Sequence, residues 1–403
     1  MRIVCIGAGP AGLYFAALAK LSNKKHDVTV IERDPTGVTY GWGVVFWQDL
    51  LDDLYRSDPE SAQAIAREAA HWDTQEVHIQ GKRTVHVGGY GFSLGRDRLL
   101  DILLRRAQSL GVEVQFQREV ENLSEFADAD LIIACDGANS RTRHLHGNPF
   151  QTHIELGRTK YIWLGADKAF DTFTFAFEET PAGWIWFHAY RFNRETSTCI
   201  VECPQETWQG LGFGQLGPDE TLRRLEDIFK RHLDGRSLLT QRHGRGRTQW
   251  LHFKRITNER WHHGNVVLMG DAAHTTHFSI GSGTKLAIQD AIGLARQLRA
   301  HTALPAALSA YEEERRTALL PLQNAARRSA EWFEDVPRHV EQHAGQFAYA
   351  LLNRRGSHAR WRYLLHLANQ EAALRGVLRG IHSARGWMRS RRLQRSARLL
   401  GDV

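Results

Sequence analysis

Three short stretches bearing glycine and aspartate hold the residue types from which a ligand site can be read. Gly7, Gly9 and Gly12 form G-x-G-x-x-G in "IGAGPAGL", between an apolar run and an Ala/Leu-rich one. The first glycine permits a tight turn, the second lets a pyrophosphate approach the backbone, and the third lets a helix pack on a strand. The N-terminus of that helix then offers free N–H groups to phosphate. Glu32 closes the next apolar run, 20 residues after Gly12, where a carboxylate can accept both hydroxyls of an adenosine ribose. Asp136 in "CDGANSRTR" (135–143) and Asp271 in "GDAAH" (270–274) each end a further apolar run. Singly, each is an ordinary turn former or helix cap. Together the three strand ends point to one extended dinucleotide, with Asp271 near a ribitol hydroxyl and the helix behind it facing the pyrophosphate or a flavin.

The elements that must position these residues follow from periodicity. Residues 2–6, a helical stretch to about Leu21 and "DVTVIERD" (27–34) make a βαβ opening. "GRDRLLDILLRRAQSLGVEVQF" (95–116) reads as a helix and then a strand, and "ADLIIACDGANS" (129–140) as a buried strand ending in a turn. Between them and "NVVLMGDAAH" (265–274) lie four runs that alternate at period two: 159–165, 171–179, 183–192 and 196–203. Phe173, Phe175 and Phe177 share one face of their run, and Trp184, Trp186, His188 and Tyr190 one face of theirs, which predicts an antiparallel sheet. The predicted class is α/β: a discontinuous Rossmann-like nucleotide domain (1–73, 94–150, 255–330) with an inserted antiparallel β-sheet substrate domain (74–93, 151–254) and C-terminal helices (331–403).

Composition limits the alternatives. With 403 residues, 42% hydrophobic and 24% charged, the chain is globular, and no apolar run approaches the length of a membrane span. The four cysteines have no framework spacing and read as small buried hydrophobes, and no targeting segment is evident, so a cytoplasmic location is expected. None of the 21 histidines recurs at ligand spacing, so no metal is expected. From Leu351 onward 12 arginines face only Glu371 and Asp402, a tail of +10 on a chain of +7. It is either a solvated face or a meeting place for phosphates. A flavin-holding module whose basic tail grips nucleic acid or membrane is the alternative from another class, and the glycine loops and aromatic sheet argue against it.

The set of three motifs resembles the group A flavoprotein monooxygenases of the para-hydroxybenzoate hydroxylase fold, over the chain to about residue 330. "YGWGVVF" (40–46), "KYIWLG" (160–165), "HAYRF" (188–192), "STCIVEC" (197–203) and "HFSIGSGT" (277–284) resemble a narrower branch. That branch includes salicyloyl-CoA 5-hydroxylase, anthraniloyl-CoA monooxygenase and the tryptophan hydroxylase of violacein synthesis. The resemblance implies FAD, NADH or NADPH as transient reductant, and O2 as co-substrate, with oxygen activated at the flavin to hydroxylate an electron-rich aromatic ring. By the same resemblance Gly7, Gly9, Pro10, Ala11 and Gly12 would hold the FAD pyrophosphate, and Glu32 and Arg33 the adenosine ribose. Arg96 would sit near the ribityl phosphate, Val120 at adenine, Asp136 in the cofactor groove and Asp271 at ribitol. Gly281, Ser282, Gly283, Thr284 and Lys285 would line the isoalloxazine. The chain departs from the wider family at His277-Phe278, where proline is common, and at Lys285, where asparagine is. "GWIWF" (183–187) resembles the box of flavin halogenases but lacks its Ile-Pro and the matching lysine.

The hard step then belongs to the cofactor, and the protein orients, desolvates and gates. Trp163, Phe175, Trp186, His188, His277 and Phe278 are the expected pocket residues. His188 and His277 are the expected catalytic residues, either one able to orient or deprotonate a ring substituent if its pKa lies near the operating pH. The substrate expected is an aryl-CoA thioester such as salicyloyl-CoA, with a free aromatic amino acid or small phenol as the alternative. The arginine tail (Arg391 and Arg392 among it) would meet the CoA phosphates. No nucleic-acid or membrane partner is expected.

Overall fold

Every functional strand end comes to one edge of one sheet. The computed structural model describes residues 1–356 apart from 82, 145–146 and 241–248, together with 366 and 370. Its first sheet has six strands in the order His262–His263, Val266–Leu268, Leu131–Ala134, Arg2–Ile6, Asp27–Ile31 and Glu113–Gln115. All pairs are parallel except the outermost, His262–His263 with Val266–Leu268. Ile6 and Leu268 both lie opposite Ala134, so the turns that follow these three strands open side by side at their carboxyl ends. The three central strands are almost wholly buried, which explains their unbroken apolar runs. The helix Pro10–Ser22 starts with proline at its first turn and is buried on all sides from Pro10 to Ala19. It packs against the helix Gly283–Ala300.

The second sheet has eight strands: Leu238–Leu239, Thr152–Ala166, Ser197–Pro204, Gly183–Arg191, Phe173–Thr180, Gln75–Ile79 and Arg83–His86 in order, with Leu251–Asn258 also paired to Thr152–Ala166. The period-two alternation placed the long strands well, and three features depart from it. Phe173–Thr180 runs parallel to Gln75–Ile79, so the sheet is not purely antiparallel. Gly91–Gly95 leaves this sheet for a three-stranded one with Gly43–Phe46 and Ala70–Trp72. Helices Gln205–Gly210, Pro218–Ile228 and Lys230–Leu233 follow the last of the alternating runs. They cover one sheet face, where Ala176, Ile185, Phe187 and Val201 meet Leu225 and Phe229. The other face, Phe175, Phe177 and Trp186, meets Trp332, Phe333 and Phe347 from the C-terminal helices. A strand with both faces covered can be apolar throughout, so alternation alone could not show which residues meet a ligand.

The four cysteines are free and buried. No helix among the described residues is long and apolar enough to cross a membrane, and no group of residues among them could hold a metal. Arg391 and Arg392, with nearly all of the basic tail, lie outside the described residues.

Candidate active site

The glycine loop is shaped by what its side-chain-free positions must avoid. Gly7 has φ +113°, and a Cβ there would stand 2.5 Å from the Cys135 carbonyl oxygen. At Gly12 it would stand 2.2 Å from the Gly7 oxygen and 2.7 Å from Cys135 Sγ. Gly9 differs: a Cβ there would meet nothing within 4 Å. Its free side faces two cavities, of about 490 and about 260 Å³, both walled in part by Gly9, Arg96, Cys135 and Gly137. The smaller is lined by Gly7, Glu32, Arg33, Val120 and Asp136. The larger is lined by Pro10, Ala11, Asp271, Gly281, Ser282, Gly283 and Thr284 on one side and by the aromatic sheet on the other. Gly283, like Gly9, would place a Cβ in open space.

The acidic residues do double work. Glu32 takes hydrogen bonds from the Ala8 N–H (2.8 Å, on Oε2) and the Asp34 N–H (3.0 Å, on Oε1), bracing the loop. Each oxygen keeps a lone pair for a ribose hydroxyl. Asp136 Oδ2 accepts from the Arg141 and Thr142 N–H groups and from Thr142 Oγ1, the turn role that a lone Asp-Gly suggests. Its Oδ1 is buried with no protein partner, as is Arg96 Nε. Asp271 is open to the larger cavity. The depth of its site pushes its pKa up, against the pull of Arg96, and burial in turn lowers the pKa of Arg96. Orphaned polar atoms, glycine-cleared walls and a groove joined from Glu32 to Thr284 fit a long dinucleotide such as FAD.

Two residues that sequence reasoning missed hold this cradle in register. Arg143 is buried and donates to Ala272 O (2.8 Å) and Ala138 O (3.0 Å), tying the turn after Asp136 to the loop that bears Asp271. Asp290 accepts from the Gly270 N–H, from Arg315 Nε (2.8 Å) and from His274 Nε2 (2.8 Å). Burial alone would raise its pKa, but His274 and Arg315 overcome burial and hold it below the ordinary carboxylate range. The available signal was the second arginine of "SRTR" and the aspartate inside a helix that is otherwise apolar on its buried side.

At the substrate end the sheet and the 40–43 loop interlock. Gly41 (φ +87°) lies under the Trp163 ring, where a Cβ would be 2.9 Å from it, and Gly165 lies under Trp42 at 2.7 Å. The "YGWG" and "YIWLG" stretches are thus one reciprocal tryptophan-on-glycine contact. Trp163, Phe175, His188 and Phe278 line the cavity, as do Tyr161 and Phe173, which sequence reasoning did not single out. His188 stacks between Phe173 (6.0 Å, 7°) and Phe278 (5.8 Å, 24°), and its Nδ1 has no partner. Burial, Arg354 and His277 push its pKa down to about 3, so the ring is neutral and a poor proton acceptor at neutral pH.

Four expected residues stand elsewhere, the first being Gly12, which packs on Gly7 and Cys135 and lines neither cavity. His277 is not on the cavity wall: it caps the turn Phe278–Ile280, binds Ser279 Oγ through Nδ1 (2.7 Å) and sets Nε2 3.9 Å from Glu202. Burial and Arg354 lower its pKa to about 3 as well. Trp186 is fully buried behind the wall, its Nε1 donating to Glu202 Oε2 (3.2 Å) and its ring stacked on Phe333. Lys285 turns its ammonium to Asp49 (2.5 Å), away from the cavity. Trp186 and Lys285 are drawn to partners far along the chain, whereas His277 is held by the turn that it caps, through Ser279 two residues on.

Comparison with known proteins agrees with this geometry. A family described as an FAD binding domain matches residues 1–323. Salicyloyl-CoA 5-hydroxylase of a Streptomyces species is 40% identical over 88% of this chain and 70% of its own length. A 3-hydroxy-4-methyl-anthranilyl-[aryl-carrier protein] 5-monooxygenase of Streptosporangium sibiricum is 36% identical over 84% of this chain and 90% of its own. Protodeoxyviolaceinate monooxygenase of Chromobacterium violaceum is 30% identical over 89% and 95%. In fold, the chain superposes on p-nitrophenol 4-monooxygenase of Pseudomonas putida with TM-score 0.69 at 16% identity, over 94% of this chain and 97% of that one. These relatives, with a glycine loop and cavities that fit a dinucleotide, place the chain in the FAD-binding family, as an FAD-dependent aromatic monooxygenase that draws on NAD(P)H and O2.

Proposed function

We propose that this monooxygenase hydroxylates an aromatic acyl group carried as a thioester, with 2-hydroxybenzoyl-CoA as the representative substrate. The observation that carries the reading is the make-up of the larger cavity. An aromatic wall of Tyr161, Trp163, Phe173, Phe175 and Phe278 faces the Gly281–Thr284 cradle, and the charged side chains at the substrate end are Arg354, Arg355 and Lys254. Flat apolar walls take a ring, and cations take the oxygens and phosphates of an acyl carrier. Two of the relatives described above carry CoA or an aryl-carrier protein in their names, which supports the same reading.

FAD, when bound and reduced by NAD(P)H, supplies activated oxygen to the ring. The chain's own residues do the rest. Gly9 and Gly283 leave room for the cofactor, while Asp136 Oδ1 and Arg96 Nε offer it unfilled hydrogen-bonding capacity. The stacked Phe173, His188 and Phe278 rings hold the substrate ring in a dry slot. Burial keeps His188 neutral, so it brings no positive charge to the slot, and its unpartnered Nδ1 is a polar contact open to the substrate. The five proposed segments of the nucleotide and substrate domains would meet along this slot.

The test compares 2-hydroxybenzoyl-CoA with free 2-hydroxybenzoate as stimulators of NAD(P)H oxidation, with product mass as the second readout. The thioester is expected to accelerate oxidation and yield a product heavier by one oxygen. If the free acid, or tryptophan, is turned over as efficiently, the thioester reading is wrong.

A further inference from the structure

Arg354 and Arg355 follow the helix Ala344–Asn353 and line the substrate end of the larger cavity. Among the described residues neither has a carboxylate within ion-pair distance. Arg106 and Arg315, which are largely enclosed, face Asp58 at 2.9 Å and Asp290 at 2.8 Å. Arg354 is nevertheless rigidly held. Its Nε donates to Ser329 Oγ (2.9 Å), Nη1 to Leu351 O (2.6 Å) and Nη2 to Ser279 O (2.7 Å). Its guanidinium lies 5.7 Å from the Phe175 ring centre and 5.4 Å from that of Phe333. A guanidinium has five N–H donors, so one on each terminal nitrogen remains beyond these three bonds.

The charge balance points the same way. Burial and Arg355 work against the charge of Arg354, and Glu202 works for it. Burial pushes Glu202 itself up to about 7, so it is only partly ionised at neutral pH. An arginine keeps its proton in a protein, and this one is left with a demand for negative charge that its neighbours meet incompletely. Arg355 lies nearer the open side, over the Trp47 ring at 5.6 Å.

We propose that Arg354 is the substrate-recognition residue for a 2-hydroxyaroyl group: its two remaining N–H donors take the acyl carbonyl oxygen and the neighbouring ring oxygen, and its charge favours that ring oxygen as phenolate. The identity of the two oxygens rests on the thioester reading above. A 2-hydroxyaroyl group holds these oxygens side by side in one plane, the arrangement a guanidinium fork fits. The phenol proton leaves to bulk water, and the phenolate pushes electron density to the ring carbon para to it, where an electrophilic oxygen attacks.

The experiment titrates the FAD-loaded protein with 2-hydroxybenzoyl-CoA and with benzoyl-CoA, following the flavin spectrum, in wild type, Arg354→Lys and Arg354→Met. Wild type is expected to bind the hydroxylated ester at least about tenfold more tightly, the scale of one charge-assisted hydrogen bond. In Arg354→Met that preference should collapse and the phenolate absorbance of the bound ligand should vanish, with Arg354→Lys between. A folding defect would weaken both ligands alike and leave their ratio intact. An unchanged ratio in Arg354→Met, or no preference in wild type, overturns the proposal while leaving the thioester reading standing. If wild type binds only the free acids, the thioester reading falls. The ratio for 2-hydroxybenzoate against benzoate then judges Arg354 in its place.

Discussion

The two ends of the long groove are built from different material. At the proposed cofactor end the walls are backbone and absent side chains: Gly7 and Gly12 admit close packing, and Gly9 and Gly283 face open space. At the substrate end the walls are large side chains brought together from Tyr161 to Arg355. A backbone wall is specified locally, because a loop, its glycines and the helix after it are contiguous. A side-chain wall is specified by which strands and helices pack, so any one residue's role depends on partners far along the chain.

The sharpest way to break this comparison is within the glycine loop itself. Gly12→Ala sets a Cβ against the Gly7 oxygen and Cys135 Sγ. A loss of about 3 kcal/mol or more is expected, with FAD lost along with the fold. Gly9→Ala meets no protein atom within 4 Å. It should melt as wild type does while binding FAD at least about tenfold more weakly, because the methyl group would stand in the path proposed for the pyrophosphate. Thermal melting of the apoprotein and flavin-fluorescence titration separate the two effects. Identical behaviour of the two variants would end the distinction between a packing glycine and a ligand-facing one.

The substrate end should instead show itself through titration. Glu202 is fully enclosed, with Thr159 Oγ1 (2.6 Å) and Trp186 Nε1 as donors, and its carboxyl rises from an ordinary 4.5 to about 7. The sign follows from proton counting. Between those values the fold keeps a proton that the unfolded chain has released, so this contribution is full below pH 4.5 and is lost as pH rises through about 7. The loss is at most about 3 kcal/mol. Glu202→Gln should remove that slope from a plot of urea midpoint against pH, and parallel profiles for the two proteins would refute it.

The smallest effect is expected at the seam between the two ends. Lys285 pairs with a largely exposed Asp49, so Lys285→Ala should cost less than about 1 kcal/mol and leave FAD affinity unchanged. A tenfold fall in affinity, measured by the same fluorescence titration, would return Lys285 to the flavin wall.

Much of this was legible before any coordinates. The βαβ opening, the strand Leu131–Ala134 and the four alternating runs are present where periodicity put them. The residues at the three strand ends do line two cavities that share Gly9, Arg96, Cys135 and Gly137 as wall. The helices Gln205–Gly210 to Lys230–Leu233 were not foreseen, nor was the parallel pairing of Phe173–Thr180 with Gln75–Ile79. Both are long-range choices that a local period does not record. His277 and Trp186 were placed on the wall because they share a stretch or a sheet face with residues that are on it. Glu202 and Phe333, from two other elements, hold Trp186 behind it, and His277 is turned back onto Ser279 in the turn that it caps.

By itself, then, the sequence determined the backbone half of the site: which strands end together, where φ must be positive, and where a loop is left without a side chain. These follow from steric rules that act within a few residues. Only the tertiary structure decided the side-chain half. It brought Arg143 to Ala272 and Asp290 to His274, because a buried charge is fixed to whatever partner the packing supplies, and it set Arg354 on the cavity wall with no carboxylate of the described residues in ion-pair range.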